Sequence, residues 1–430
     1  MTIRLFLVLS VILILSACGK AGNNNGGDTD ADSDTDTGID ADTDTDADTD
    51  IDADTDTDAD TDTDNDADGD SDTDGDNDTD TVFDSDTDTG IPEICTSPFG
   101  MNAADSTAQL DRVQADHFVW HRTGSMWTDI EWNRGQFDFS REVIKVTEHR
   151  ARGLQILNQI VVSAPWSCGR CFTDDTVHCT DCSWWEVPAP ASDPRTSHVY
   201  HFVYALVTNL QTRFSDFKVR AFSGYNEIDQ TWDLAGRERS FYADYVDGYM
   251  QPLYLAVHDA CRDTGVAGCV VLGPTLSTMD FEAHAGESHQ ALFELGAFEW
   301  IDIYDYHPYQ GWWACNPTAL LDEVDRERDW LLERGIDRPM WFSEIGISVC
   351  QDCAGQGDVE NSRIAYLTTA MNLVKTRSWV QKVFIYNLVD RAGGCEVADN
   401  GWGLYDEDLN PRPARDAVSL LAQDWSCPAP

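Results

Sequence analysis

The chain reads as an α/β protein, a (β/α)8 TIM barrel, on three observations. Between Cys95 and Cys427 lie roughly 330 residues, enough for one such barrel with insertions. Short apolar runs there alternate with stretches whose apolar residues recur at three and four, as strands and helices taken in turn should. Most of the short runs are continuous in hydrophobicity, which is what parallel strands buried on both faces require.

The elements follow in order. Pro98-Phe-Gly-Met-Asn102 opens the series as strand one, Phe118-Val-Trp-His-Arg122 is strand two, and Gln155-Ile-Leu-Asn-Gln-Ile-Val-Val162 is strand three. Val219-Arg-Ala-Phe-Ser-Gly224 and Val270-Val-Leu-Gly273 supply the fourth and fifth. Ile301-Asp-Ile-Tyr-Asp-Tyr306, Pro339-Met-Trp-Phe-Ser343 and Lys382-Val-Phe-Ile-Tyr-Asn387 complete the set. Helix-period segments lie between them, for example His198 to Phe214 and Ala319 to Arg334.

On this assignment a group of polar side chains falls at the carboxyl ends of strands, the end at which barrel enzymes build their sites. Arg122 ends strand two, Asn226 and Glu227 end strand four, His307 and Tyr309 follow strand six, Glu344 ends strand seven, and Asp390 lies just past strand eight. Glu227 and Glu344 each close a short apolar run, yet 117 positions separate them, so only a fold can bring them together. Two carboxylates at the mouth of one barrel can flank a glycosidic bond, one as acid and one as nucleophile.

Residues 1–17 pair a positive start with an apolar stretch from Leu5 to Leu15 and small residues after it, the pattern of a secretory signal. Cys18 directly after Leu15-Ser-Ala17 resembles the bacterial lipoprotein signal, which implies a lipidated Cys18 and an exported chain anchored to the outer membrane or cell surface. Residues 18–94 then form a linker, and residues 95–430 the folded domain. Asp28 to Gly90 holds 29 aspartates and no lysine, arginine or glutamate. Without them the net charge of −50 falls to −21. Like charges at that density repel and leave little to bury, so the tract is expected to be an extended spacer. Weak Ca2+ binding is a second reading, because Asp64-Asn-Asp-Ala-Asp-Gly-Asp70 and Asp72-Thr-Asp-Gly-Asp76 echo oxygen-rich calcium loops, though neither ends in the closing glutamate of an EF-hand.

Twelve cysteines remain after Cys18, all from Cys95 to Cys427. In an exported chain an even count implies disulfides, with a pairing that sequence alone does not give. Cys168-x2-Cys171-x7-Cys179-x2-Cys182 has the outward form of a zinc knuckle, but export favours a disulfide-clamped loop insertion carrying His178, Trp184 and Trp185. Cys350-x2-Cys353 is expected to be structural, since nothing around it resembles a thioredoxin βαβ unit. No cofactor and no metal is called for. The acidic balance excludes nucleic-acid binding and argues against strongly acidic glycans.

Asn226-Glu227 after strand four and Glu344 after strand seven look like clan A glycoside hydrolases, the retaining barrel enzymes. Arg122 with Trp127-Thr-Asp-Ile-Glu131 and Gly135-Gln-Phe-Asp-Phe139 resembles the strand-two region of glycoside hydrolase family 39. Ile156 to Pro165-Trp166 resembles its strand three, and Gly401-Trp-Gly-Leu-Tyr405 with Pro411-Arg-Pro-Ala414 its last turns, so the resemblance spans nearly all of the folded part. It implies Glu227 as general acid/base, Glu344 as nucleophile and Asn226 on the sugar's 2-hydroxyl. Arg122, His307 and Tyr309 would then hold the nucleophile ionised and aimed. Burial and the neighbouring carboxylate are expected to raise the acid/base pKa so that it can cycle. One departure is Ile228, where family members commonly carry proline.

Trp166, Trp184, Trp185, Trp312, Trp313 and Trp402 fall in predicted loops on the catalytic face, where indoles can stack on sugar rings; Trp166 and Trp402 are the named substrate contacts. The expected partner is a polysaccharide or oligosaccharide, and the expected tie to the membrane is the N-terminal lipid alone. Competing readings are a family 5-type endoglucanase or mannanase, a catalytically silent carbohydrate-binding surface lipoprotein, and a calcium-dependent structural surface protein.

Overall fold

The computed structural model describes residues 97–104, 106–161, 188, 190–229, 239–277, 286–309, 316–350, 358–397 and 400–425. Cys18, the aspartate tract, the Cys168–Cys182 cluster, Trp166, Trp184, Trp185, Trp312, Trp313 and Cys353 lie outside these residues. Within them the chain is a closed barrel of eight parallel strands in sequence order. The strands are β1 (Phe99–Asn102), β2 (Trp120–Met126), β3 (Gln155–Val161), β4 (Ala221–Ser223), β5 (Val270–Ser277), β6 (Ile303–His307), β7 (Met340–Ile345) and β8 (Val380–Ile385). Closure runs through Phe99, Gly100 and Met101 of β1 against Val383, Phe384 and Ile385 of β8.

A principal helix follows each strand: α1 (Thr107–Ala115), α2 (Ser140–Ala151), α3 (His198–Arg213), α4 (Gln251–Asp263), α5 (Glu287–Glu294), α6 (Pro317–Glu333), α7 (Val359–Thr376) and α8 (Pro413–Asp424). Their starts are chemically marked. Ser106 and Gln109 form a reciprocal capping box on α1, Ser197 caps α3, Asn316 caps α6 just before Pro317, and Asp358 caps α7.

All eight predicted strands are present, and β2, β5 and β7 run further than their apolar runs suggest. β2 continues through Thr123-Gly124-Ser125 because the Ser125 hydroxyl is satisfied by Glu142 of α2 at 2.8 Å and Asn158 of β3 at 2.9 Å. β5 continues past the cis Gly273–Pro274 bond to Ser277, with one extra residue relative to β6 between Gly273 and Leu276. A proline inside a strand run is a reason to end it, and a bulge is the setting that tolerates one.

Two apolar cores result. The larger joins the outward faces of the strands to the helices. The smaller takes one side chain from each of seven strands: Trp120, Leu157, Ala221, Leu272, Ile303, Trp341 and Phe384. The eighth strand contributes Gly100, where an added Cβ would stand 2.2 Å from the Phe384 ring. Glycine there leaves room for phenylalanine to fill the barrel. Trp120 and Trp341 meet edge-to-face at 5.5 Å, and the Lys382 ammonium lies 4.4 Å and 5.0 Å from their ring centres. Burial lowers the Lys382 pKa to about 8.

Cys261–Cys269 links the end of α4 to the approach to β5, and Cys350–Cys395 joins the loop after β7 to the loop after β8. Cys350 therefore bonds a partner 45 residues away and not its Cys353 neighbour. Its role is structural as expected, through a contact that the local spacing does not reveal.

Candidate active site

Inward-facing positions on a barrel strand recur every second residue. Two residues beyond the apolar layer, seven of the strands therefore present Asn102, Arg122, Gln159, Ser223, Asp305, Ser343 and Tyr386; Arg122, expected to end strand two, lies inside β2, which runs on to Met126. The apolar layer closes the barrel below, and this polar layer is the floor of the candidate site.

Glu344 stands one residue after Ser343, and strict alternation would turn it away from the mouth. The pairing of β7 with β8 contains the reason it does not. Phe342 is opposite Val383 and Ile345 is opposite Ile385, so β7 carries one residue more than its partner across this step. Such a bulge re-aims a side chain, and here both Ser343 and Glu344 face site residues. Glu227 lies past the end of β4 with φ at 42°, in the left-handed region that non-glycine residues seldom occupy.

The candidate residues converge. Arg122 donates through Nη1 to Glu344 Oε1 and, at 3.3 Å, to Asn102 Oδ1; its Nη2 reaches Asn226 Oδ1 at 2.6 Å. The same Asn226 oxygen accepts from Gln159 Nε2 at 3.4 Å, while Asn226 Nδ2 donates to Glu227 Oε2 at 3.3 Å. Tyr309 donates its hydroxyl to Glu344 Oε2 at 3.1 Å. Arg122 and Tyr309 thus touch the carboxylate they were expected to orient.

His307 lies against both glutamates, closer to Glu227. Its Nδ1 lies 2.7 Å from Glu227 Oε1 but 3.9 Å from Glu344 Oε2, and its Nε2 lies 2.9 Å from Ser343 Oγ. The ring serves the acid/base candidate, because the turn after β4 brings Glu227 nearer to Nδ1 than Glu344 is. Burial, partly opposed by the Glu344 charge, holds His307 below its ordinary pKa and so favours the neutral imidazole. A neutral ring donates to only one partner. With Glu227 ionised the donor is Nδ1, and Nε2 accepts from the Ser343 hydroxyl.

Burial raises the Glu344 pKa, while His307 and the Arg122 guanidinium pull it down. The Arg122 contact keeps the ionised form accessible in a fully enclosed position. Glu344 is nearly sealed from solvent, whereas Glu227 keeps 14% of its side chain exposed. One carboxylate is fixed, and the other can exchange protons with solvent.

One oxygen from each carboxyl and one nitrogen of His307 all lie within 4.8 Å of one another. That convergence could hold a cation, but Arg122 already supplies a positive charge to Glu344, and His307 is already hydrogen-bonded at both nitrogens. With these partners already in place, the set fits a pair of carboxyls held for acid–base and nucleophilic work better than metal ligation.

Trp402 is buried, edge-on to Tyr309 and Tyr386 at 5.7 Å each, so it borders the nucleophile side of the site. Its carbonyl accepts from buried Arg363, which also bonds Gly403 O at 2.7 Å. Asp390 accepts from Gly403 N at 2.6 Å and pairs with Arg412, so it anchors this loop. Asn102, Gln159, Asp305, Ser343 and Tyr386 were missed in the sequence. Counting two residues on from each apolar-layer side chain would have found them.

No protein-family model matches the chain, and no curated protein matches it. Solved structures do. A family 39 glycoside hydrolase from the gut symbiont Bacteroides cellulosilyticus is similar at 16% identity and a TM-score of 0.54, covering 76% of this chain and 63% of its own. A glucosidase from Croceicoccus marinus is similar at 14% identity and 0.54, over 76% and 68%. An endo-β-1,4-xylanase of family 10 from Gloeophyllum trabeum is similar at 14% and 0.50, over 76% and 96%. The chain spans less than two thirds of the first of these. What the likeness establishes is the fold, a (β/α)8 barrel of the kind found in family 39 and other clan A glycoside hydrolases.

Proposed function

We propose that the protein is a retaining glycoside hydrolase that cleaves an extracellular polysaccharide by double displacement. The observation that carries the reading is the approach of Glu227 and Glu344, one oxygen of each lying within 4.8 Å of the other. So close an approach is in keeping with the roughly 5–5.5 Å carboxyl spacing of retaining enzymes rather than the roughly 6.5–9.5 Å that leaves room for an inverting water. The proteins similar in fold are described as a family 39 glycoside hydrolase, a glucosidase and an endo-β-1,4-xylanase, which supports the class.

In the first step protonated Glu227 gives its proton to the glycosidic oxygen as the bond to the anomeric carbon breaks. The Glu344 carboxylate attacks that carbon and forms a glycosyl ester. In the second step ionised Glu227 takes a proton from water, whose oxygen attacks the anomeric carbon and releases Glu344. Arg122 and Tyr309 hold Glu344 as the attacking carboxylate, and neutral His307 supports Glu227 in its ionised half of the cycle. Asn226, between Arg122 and Glu227, is the candidate for the 2-hydroxyl, and Trp402 and Trp166 for stacking on sugar rings. The signal-like start and Cys18 motivate export with a lipid anchor, and the tryptophan-rich loops motivate a polymeric substrate.

The test is hydrolysis of β-linked polysaccharides and aryl β-glycosides by the full chain, with the product anomer followed by NMR. Cleavage with retention, lost in Glu227→Gln and Glu344→Gln, supports the reading. Cleavage with inversion removes the double displacement. A panel that binds uncut puts the silent sugar-binding barrel first.

A further inference from the structure

The hydrogen bonds around the site close into a ring. From Glu227, His307 leads to Ser343 Oγ. The Ser343 amide donates to Asp305 Oδ1 at 3.3 Å, and Asp305 Oδ2 accepts from Thr275 Oγ1 at 2.9 Å. The Thr275 carbonyl accepts at 3.3 Å from the amide of Ile228, the residue after Glu227. The ring thus returns to its starting point. It passes through β5, β6 and β7 and touches the chain next to both catalytic candidates, Ile228 beside Glu227 and Ser343 beside Glu344. A second clasp reinforces the β4–β5 edge: Asp229 Oδ2 accepts from Ser277 N at 2.9 Å and Ser277 Oγ at 3.1 Å.

We propose that Asp305 is a positioning residue that sets the separation of Glu227 and Glu344 by holding this ring closed. The inference rests on the retaining-hydrolase reading above.

Three features support it. Asp305 is fully buried at the middle of β6, and each carboxylate oxygen ties a different neighbouring strand. Both neighbours are bulged where it binds them: β5 carries its extra residue between Gly273 and Leu276, and β7 between Phe342 and Ile345. A bulge leaves ladder groups without their regular partners, and the Ser343 amide is taken up by Asp305 at such a place. Finally, Glu227 holds a left-handed backbone that persists only where surrounding contacts over-determine it, and the Ile228 amide is one of those contacts. A proline at position 228 has no N–H to close the ring, so Ile228 belongs to the same device.

The experiment compares Asp305→Ala, Asp305→Asn and Thr275→Val with wild type in the full chain. Folding is checked by circular dichroism and melting. Kinetics use aryl glycosides with good and poor leaving groups. Because a displacement of about 1 Å costs on the order of 100-fold in rate, Asp305→Ala should lose about that factor in kcat with KM nearly unchanged. Thr275→Val opens one link without changing shape and should lose about tenfold. Asp305→Asn keeps an acceptor for the Ser343 amide and should recover much of the loss. The deficit should be larger for poor leaving groups, which depend on correctly placed acid catalysis. A general loss of packing would lower the melting point and act alike on all substrates. Folded Asp305→Ala and Thr275→Val with wild-type kcat overturn the inference. If Asp305→Ala fails to fold, Thr275→Val decides. If Glu227→Gln and Glu344→Gln are themselves active, the functional reading falls and takes this with it; if they are dead while the ring variants are unaffected, the inference alone falls.

Discussion

Two layers inside one barrel are built from the same strands two residues apart, and they are opposite in character. The lower layer is Gly100, Trp120, Leu157, Ala221, Leu272, Ile303, Trp341 and Phe384, apolar and interlocked. The upper is Asn102, Arg122, Gln159, Ser223, Asp305, Ser343 and Tyr386, polar side chains of which Asn102, Arg122, Gln159, Asp305 and Ser343 are tied by hydrogen bonds. The lower layer stabilises the fold by removing aromatic and aliphatic surface from water. The upper layer needs the lower one, since a low-dielectric floor is what gives its charges and hydrogen bonds their strength. Division of labour along a strand follows from a period of two and from the strand's having an end.

Substitutions should separate the layers. The largest effect belongs to Glu344→Gln above the floor: kcat should fall by on the order of 10⁴-fold or more while the melting temperature changes little, measured on an aryl glycoside alongside calorimetry. A comparable loss of stability without loss of specific activity in the remaining folded protein would reverse the assignment of layers. Next, Glu227→Gln should cost about 10²–10⁴-fold on substrates with poor leaving groups and much less on activated ones, because only the former need a proton. Equal losses on both would break the distinction between the two carboxylates.

In the lower layer Phe384→Ala should remove about 3–5 kcal/mol of stability, read from denaturant unfolding, with kcat of the folded fraction close to wild type. A tenfold drop in kcat at unchanged stability would show that the layers are not separable. The smallest effect comes from Lys382, a charge within the aromatic wall. Its folded pKa of about 8 lies below the ordinary 10.5, so the folded state disfavours the proton. The burial penalty is therefore complete below about pH 8 and disappears as pH rises toward 10.5, where the unfolded chain also loses its proton. Lys382→Met should be more stable than wild type by roughly 1–3 kcal/mol at neutral pH, less whatever the two indoles contribute to the ammonium, and the gap should close in alkali. A gap that is constant with pH would place the ammonium in water.

Legibility followed the same division. Apolar runs mark buried strands because burial on both faces leaves no other pattern, so the barrel and its eight strands could be read directly. Glu227, Glu344, Arg122 and His307 stood out as polar interruptions at run ends. Asp305 and Gln159 did not, because a single polar residue inside an apolar run has no direction until the strand has neighbours. The closer contact of His307 with Glu227 than with Glu344 has the same origin: contact between groups 80 residues apart is decided by the turn after β4, not by composition. Cys350 bonding Cys395 is a third case, since spacing suggests the near partner and loop geometry selects the far one.

Periodicity and length are enough to specify the barrel and the end of it at which chemistry-bearing residues gather. Tertiary structure alone decided which carboxylate each side chain serves. The physical reason lies in the bulges of β5 and β7: one extra residue in a strand reverses the facing of every residue after it, and that reversal exists only against a paired neighbour.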